Sequence, residues 1–455
     1  MPDLGRGWCA VSGKPCRVRG LGRAKQAELH VTADGLDARF AARMGALLGP
    51  DFPPAIGLAV SGGGDSMAML ALAHGWARVM GVGLRVVTID HGLRAAAADE
   101  AAMVAAECAA LGHPHRILHW HWDGQGNLQD AARQARRDLI GAWRGDLSHV
   151  LFAHTADDQA ETVLLRLMRG SGVEGLAGMA PARAVHDATG SWWILRPLLA
   201  ERRADLRNYA ETLKLPFVDD PSNDDPRYDR VRMRQAIATL GLSVDGLAQT
   251  GERMARAAIA CRARSADIAR VIVTEERLGD LYTGDLLIDR DGLARTERDT
   301  QMRIIAAGLQ WVSSDRYRPR AHALEGLLDR LLAGGSGTLQ GVNAMTSTAA
   351  IRLSREHAAL RHAAQPVQAR QRWDGRWRVA DAPEPGLIIR SLGPDGWAQR
   401  PDRDKIFPPA RAAYAWPALF RGDQLVACPL LGVGATSEIV FHPLRGHFAQ
   451  FLESH

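Results

Sequence analysis

Apolar and polar positions follow two alternating rhythms through the first half of the chain. Short apolar runs of buried-strand type occur at Ile56–Val60, Leu84–Ile89, Arg116–Trp120 and His149–Ala153. Between and after them, apolar residues recur at helical spacing over Met67–Met80, Asp99–Leu111, Leu128–Arg144 and Asp157–Met168. Strand–helix alternation of this kind predicts an α/β fold with a parallel sheet covered on both faces. In such sheets ligands sit beyond the carboxyl ends of the strands. An amphipathic helix over Asp37–Leu48 is expected to lead into the first strand. Helices are expected at Arg203–Lys214 and, as one long element, at 243–275. Beyond it the texture changes to short strands (Asp285–Asp289, Ala350–Ser354, Trp377–Ala380), helices at Arg298–Val312 and Ala321–Leu332, and many Gly and Pro turns. Gly334–Leu339 reads as a loop into a hairpin. The pattern divides the chain into a partly disordered leader (1–50), a catalytic α/β domain (51–240), a helical and α+β region (241–365) and a small, mostly β region (366–455). No internal repeat is visible.

Composition narrows the class. The chain has 455 residues with 46% hydrophobic content, enough for two or three domains with sizeable cores. The formal net charge is +5, and the basic residues are almost all Arg, with Lys only at positions 14, 25, 214 and 405. An Arg-rich surface suits a polyanionic partner, although codon bias would produce the same count. The five cysteines form no C-x-x-C pair, which argues against a zinc knuckle or an iron–sulfur site. Their odd number and wide spread fit a reducing, cytoplasmic setting. No apolar stretch approaches the roughly 20 residues needed to span a bilayer. The first 25 residues are basic and glycine-rich without the apolar core of a signal peptide.

The candidate chemistry gathers at the predicted strand ends. Ser61-Gly62-Gly63-Gly64-Asp65-Ser66 lies between a strand and a helix. Its glycines let backbone N–H groups approach an anion, and the helix N-terminus adds its dipole. No Lys follows at Walker A spacing. The frame instead resembles the PP-loop of ATP pyrophosphatases, which release pyrophosphate and leave an adenylate. Asp90 and His91 follow the second strand, where an Asp can position a ribose, a magnesium ion or a backbone turn. Arg133 and Arg136 lie one helical turn apart. In His154-Thr155-Ala156-Asp157-Asp158-Gln159-Ala160-Glu161, Asp158 and Glu161 share a helix face and suit an ammonium group and a metal ion. Acids are favoured in a first helical turn in any case. Gly170–Met179 is a glycine-rich segment suited to a mobile cover or a substrate contact. Arg227, Arg230, Arg232 and Arg234 open another helix and read as phosphate contacts.

Taken together, Ser61–Ser66, Asp90–Arg94, His154–Thr162, Gly170–Met179, Arg196–Leu199 and Asp220–Asn223 resemble, in order, the motifs of the tRNA(Ile)-lysidine synthetases. The resemblance is specific over about residues 55–240 and weak beyond, as at Leu392-Gly393 and Trp416–Leu419. It implies a Rossmann-like PP-loop domain followed by a helical linker and a smaller α+β region. The implied reaction adenylates carbon 2 of the wobble cytidine of a CAU-anticodon tRNA(Ile) with ATP. The ε-amine of free L-lysine then displaces AMP. Ser61–Ser66, with Asp90 and His91, would hold ATP, and Asp65 would place Mg²⁺. Asp158 and Glu161 would hold lysine, with His154 beside them in the catalytic group and Arg133 and Arg136 lining the pocket. Arg227, Arg230, Arg232 and Arg234 would contact the tRNA. A homodimer is compatible with this reading, and no membrane partner is expected. The chain departs from the family pattern at Thr155, Arg137 and Val231, where His, Tyr and Asn are usual.

Three other readings are weighed. A thiolase-like PP-loop enzyme would need paired or catalytic cysteines, whereas Cys108 lies alone in an Ala-rich helix. A small-metabolite amidotransferase would need a glutaminase nucleophile. A non-catalytic tRNA-binding relative would have no need for the intact Asp65, Asp158 and Glu161.

Overall fold

The computed structural model describes residues 35–90, 92, 97–122, 124, 128–187, 190–219, 225–315, 317–379, 384–402, 407–435 and 439–454. His91 and Asp220–Asn223 lie outside these residues. The chain divides into two compact units, Met1–Glu252 and Arg253–His455.

The first unit opens with α1 (Leu36–Leu48), then alternates β1 (Ala55–Ala59), α2 (Gly64–Met80), β2 (Gly83–Asp90), α3 (Ala97–Leu111), β3 (His115–His119), α4 (Leu128–Trp143), β4 (His149–Phe152) and α5 (Ala156–Met168). A short helix α6 (Val173–Leu176), a hairpin of β5 (Ala182–Asp187) and β6 (Gly190–Leu195), α7 (Arg203–Thr212), α8 (Asp229–Thr239) and the start of α9 (Val244–Ile272) complete it. The strand order is β3-β2-β1-β4-β6-β5. The first five strands in that order are parallel, and β5 closes the edge antiparallel to β6. This is the Rossmann-like parallel-sheet fold the alternation predicted, with an antiparallel edge strand added. Ala182–Asp187, at the sheet's edge, lacks the continuous apolar run of its neighbours.

The central strands are apolar because both faces are covered. Ile56 and Leu58 of β1 and Val86 of β2 are fully buried. They meet Met67, Met69, Leu70 and Leu72 of α2 in one cluster. Phe40, Met44 and Leu48 of α1 join the same cluster. The helix expected over Asp37–Leu48 therefore belongs to the α/β unit and not to a separate leader. Two polar ties fix it to α7 and the residues just before it: Arg39 pairs with Glu201 at 2.7 Å, and Tyr209 of α7 donates to Asp37 at 2.9 Å.

The second unit holds a five-stranded antiparallel sheet of order β7-β8-β11-β10-β9. Its strands are β7 (Val273–Leu278), β8 (Leu281–Asp289), β9 (Gly337–Leu339), β10 (Val342–Thr346) and β11 (Ala350–Arg355), with α10 (Arg290–Ala294), α11 (Arg298–Ser313) and α12 (Ala321–Leu332) between β8 and β9. Gly308 lets α11 approach the sheet closely, since a Cβ there would lie 2.5 Å from Leu353. A second core, built on Trp373, Trp377, Trp416 and Phe420, packs short antiparallel strands between 365 and 441. The unit is thus α+β, as expected.

Three boundaries differ from expectation. The long helix ends at Ile272, and Val273–Leu278 pairs with β8 instead. The β-branched run Val271-Ile272-Val273-Thr274 favours an extended edge once a partner strand is present. The first unit continues past residue 240 through Glu252, because the start of α9 packs on α5; a Cβ at Gly251 would lie 3.1 Å from Val163. The helix Phe448–Ser454 returns to the core of the five-stranded sheet through Phe448, Phe451 and Leu452, so the small β region does not own the end of the chain.

Met44→Ala tests the placement of α1. Removing a fully buried side chain from the sheet's core is expected to cost about 2–5 kcal/mol. A urea denaturation curve unchanged by the substitution would return α1 to a loosely attached leader.

Candidate active site

The site forms where the strand order reverses between β1 and β4, the usual ligand position in an open α/β sheet. The chain leaves β1 through Val60 and Ser61 and enters α2 at Gly64. Gly62 has φ +88, open to glycine at no steric cost. The Ser66 hydroxyl donates to the Gly63 carbonyl at 2.8 Å and accepts from the Ser61 N–H at 3.1 Å. Val218 N–H donates to Gly62 O at 3.0 Å and so tethers the loop from below α7. No side chain caps α2. Its first N–H groups, with the dipole behind them, present an anion site beside Asp65.

At the end of β4, Thr155 caps α5. Its hydroxyl accepts from Asp158 N–H at 3.3 Å, and Asp158 Oδ2 accepts from Thr155 N–H and hydroxyl, both at 2.9 Å. The residue that departs from the family pattern thus serves as one half of a capping box. The cap consumes Oδ2 and leaves Oδ1 facing inward. One turn on, Glu161 is 2% exposed, and its Oε2 is buried without a hydrogen-bond partner.

Three arginines converge on these acids. Arg203 reaches all of them: Nε to Asp65 Oδ2 at 3.2 Å, Nη2 to Asp158 Oδ1 at 3.3 Å and Nη1 to Glu161 Oε1 at 3.5 Å. Arg230 pairs with Asp158 Oδ1 at 3.3 Å, and Arg234 with Glu161 Oε1 at 3.0 Å. The cluster expected on tRNA is therefore divided. Arg230 and Arg234 turn toward the acids, while Arg227 and Arg232 pair with Asp225 and Asp229 at the surface. The division follows from the helix: Arg230 and Arg234 are four apart on the face of α8 that meets α5, and the buried Val231 and Met233 lie beside them.

Arg203 escaped the sequence reading. A signal was present, because Arg202 and Arg203 stand at the positive end of α7, where cations are disfavoured by about 0.3–1 kcal/mol. Asp157 offsets this: its Oδ2 accepts from Arg203 N–H at 2.8 Å and lies 3.4 Å from Arg202 Nε. Two cations held at the wrong helix end mark a position kept for another purpose.

Electrostatics separates the carboxylates. Burial raises Asp65 to about 6 despite Arg203, with Asp158 adding to the rise. Burial would also raise Asp158, but Arg203, then His154 and Arg230, and the Thr155 N–H together hold it below the usual carboxylate range. Burial keeps His154 neutral against the pull of Asp158, helped by Arg196, Arg230 and Arg136. Its Nδ1 accepts from Arg196 Nε at 3.3 Å, so the ring proton sits on Nε2. Desolvation, then Arg133 and Arg230, lowers the pKa of Arg136. Arg166 and Arg196 are lowered in the same way, by burial and then by neighbouring arginines. Arginines that depress one another's pKa values therefore gather near the acids.

The other residues singled out from the sequence make local contacts. Asp90 Oδ1 accepts from Gly92 N–H at 2.8 Å, and its Oδ2 lies 3.4 Å from His119 Nδ1, so it holds the turn after β2. The glycine-rich segment is tied to its neighbours: Gln159 bonds both backbone groups of Met179, and Arg166 donates to the carbonyls of Gly175 and Gly178. Cys108 is fully buried, with its thiol pushed up to about 12 by burial and Glu107.

A glycine loop at a sheet's switch point, faced by acids from the next strand end, defines the PP-loop class of domain. The PP-loop domain family matches residues 36–240. The tRNA(Ile)-lysidine synthase of Ruegeria pomeroyi is 38% identical over 395 residues, which cover 85% of this chain and 91% of that relative. The tRNA(Ile)-lysidine synthase of Rhodopseudomonas palustris is 43% identical over 245 residues, covering 53% and 68%. A U34-tRNA thiolase from Methanococcus maripaludis superposes with a TM-score of 0.40 at 17% identity, over 48% of this chain and 77% of that one. The chain belongs to the tRNA(Ile)-lysidine synthase family. Among the described residues no helix is long and apolar enough to cross a membrane.

The Asp65 shift predicts a pH signature. Its folded-state pKa of about 6 exceeds the ordinary 3.8, so the native chain holds this proton more tightly than the unfolded chain. The resulting destabilisation is absent at low pH, grows from about pH 4 to about pH 6, and levels off at roughly 3 kcal/mol. Asp65→Asn should therefore raise the melting temperature of the ligand-free chain at about pH 8, with the gain vanishing near pH 4. An equal gain at both pH values would show that burial of the charge is not its source.

Proposed function

We propose that this chain joins free L-lysine to carbon 2 of the wobble cytidine in CAU-anticodon tRNA(Ile), converting ATP to AMP and pyrophosphate. The observation that carries the amine half of this reading is Glu161 Oε2, a buried carboxylate oxygen with no hydrogen-bond partner, one helical turn from an ionised Asp158. A buried acceptor left unmatched costs about 1–3 kcal/mol, which an incoming N⁺–H donor would recover.

In the first step the cytidine O2 attacks the α-phosphate of ATP, the bond to the β-phosphate breaks, and pyrophosphate leaves. The bare N–H groups at the start of α2 and the turn at Gly62–Gly64 suit the polyphosphate. Asp65 fits Mg²⁺, which binds through one or two carboxylates together with phosphate oxygens and waters. Bound there, the ion would offset charge on the departing pyrophosphate. The positive charge gathered by Arg133, Arg136 and Arg230 suits the remaining phosphate charge and the RNA backbone near the reacting base.

In the second step the lysine ε-nitrogen bonds to C2, the C2–O bond breaks, and AMP carries the oxygen away. Asp158, held ionised, anchors the ammonium. Glu161 Oε2 accepts the proton that the amine must lose before it attacks. His154, neutral and fixed by Arg196, shapes the pocket and is not the base. Holding both partners in one recess replaces a bimolecular encounter with a local one. Arg227 and Arg232, at the surface near the start of α8, would exchange Asp225 and Asp229 for tRNA phosphates.

The test is AMP release by the purified chain with ATP, Mg²⁺, lysine and matched CAU-anticodon tRNAs, one for isoleucine and one for methionine. Release that requires lysine and prefers the isoleucine tRNA is expected; no AMP under any condition sinks the reading. Asp158→Asn and Glu161→Gln should each raise the lysine KM by about 10- to 100-fold while changing the ATP KM little. Equal effects on both substrates would remove the acids from the amine subsite.

A further inference from the structure

Arg203 is the only described side chain that bonds the loop acid and both α5 acids at once. Its guanidinium lies between what the proposed function makes the nucleotide subsite and the amine subsite. It is 30% exposed, and its own pKa is raised: burial lowers it, but Asp158, Asp65, Glu161 and Asp157 outweigh that effect. Its bonds to the acids are long for charge-assisted pairs, at 3.2, 3.3 and 3.5 Å. One cation is stretched across three anions rather than seated on one. Arg230 and Arg234 already provide Asp158 and Glu161 with one cation each.

We propose that Arg203 is a placeholder cation that makes lysine binding depend on bound nucleotide. Resting on the reading of the site given above, the argument is one of charge and space. With Arg203 in place, three guanidinium groups already answer Asp65, Asp158 and Glu161, so no net negative charge is left for an incoming ammonium. A polyphosphate on the loop, beside Asp65, offers Arg203 a stronger anion partner within reach of its Nε. Drawn toward the phosphates, the guanidinium leaves Asp158 Oδ1 and Glu161 Oε1 to the substrate. Its backbone stays fixed meanwhile, because Asp157 caps Arg203 N–H and Arg39 and Tyr209 tie the surrounding segment to α1. Only the side chain has to move. The nucleotide thereby clears the amine subsite, and a lysine arriving first meets a closed one. Arg203 acts as a positioning residue, setting the order in which the two subsites fill.

The measurement is calorimetric titration of lysine into the full chain without tRNA, with and without a non-hydrolysable ATP analogue and Mg²⁺. In the unmodified chain the analogue should tighten lysine binding by about tenfold, within the usual range for coupled sites. Arg203→Ala should bind lysine about tenfold more tightly in the absence of nucleotide and lose the dependence on it. Arg203→Gln, closer in size and uncharged, should do the same and guards against a folding defect, checked by circular dichroism. A residue that merely supports the structure would not yield a gain in affinity when removed. If lysine binds the unmodified chain equally with and without the analogue, or if both variants bind it more weakly, the placeholder role is overturned. If lysine binds no form of the protein although the analogue does, the amine reading of the site fails as well.

Discussion

The structure of the site depends on bringing three carboxylates together in a poorly hydrated space. Asp65, Asp158 and Glu161 come from two strand ends, and each is at least partly buried. Left alone, such groups would take up protons rather than stay charged. Asp65 shows the tendency directly, with its pKa raised to about 6. Asp158 escapes it only because Arg203, Arg230, His154 and a backbone N–H oppose the burial. The surrounding elements are arranged to deliver those cations: α7 supplies Arg203, and α8 supplies Arg230 and Arg234.

The same constraint explains features that look local. α7 begins with two arginines at its positive end, tolerated because Asp157 neutralises them. α1 joins the core of the α/β unit and clamps the residue Glu201 before α7 through Arg39, and α7 itself through Tyr209–Asp37. Thr155 secures Asp158 through its cap, which settles which oxygen faces the arginines. Paired buried charges of this kind are poor evidence for stability, because their desolvation offsets much of their attraction. Their worth lies in geometry: they fix where Asp158 and Glu161 stand relative to the glycine loop.

Much of the fold was legible beforehand, and for a physical reason. Parallel strands covered on both faces must be apolar throughout, so β1, β2 and β4 announce themselves. The misses fall at β5, β7 and the last helix. β5 and β7 are edge strands with one free side, and their pairing depends on partners that local pattern does not name. The final helix is short and finds its place only against a core assembled elsewhere.

The site divides along the same line. By itself the sequence determined the nucleotide loop and the paired acids of α5, because glycine freedom and helical spacing are local properties that survive without a partner. Only the tertiary structure decided the cations. Arg203 lies 138 residues from Asp65, and Arg230 lies 72 from Asp158. Nothing in the local pattern of either arginine says which acid it will meet. Charge–charge contacts are set by where elements dock, so the sequence supplied the anions and the fold chose their counter-ions.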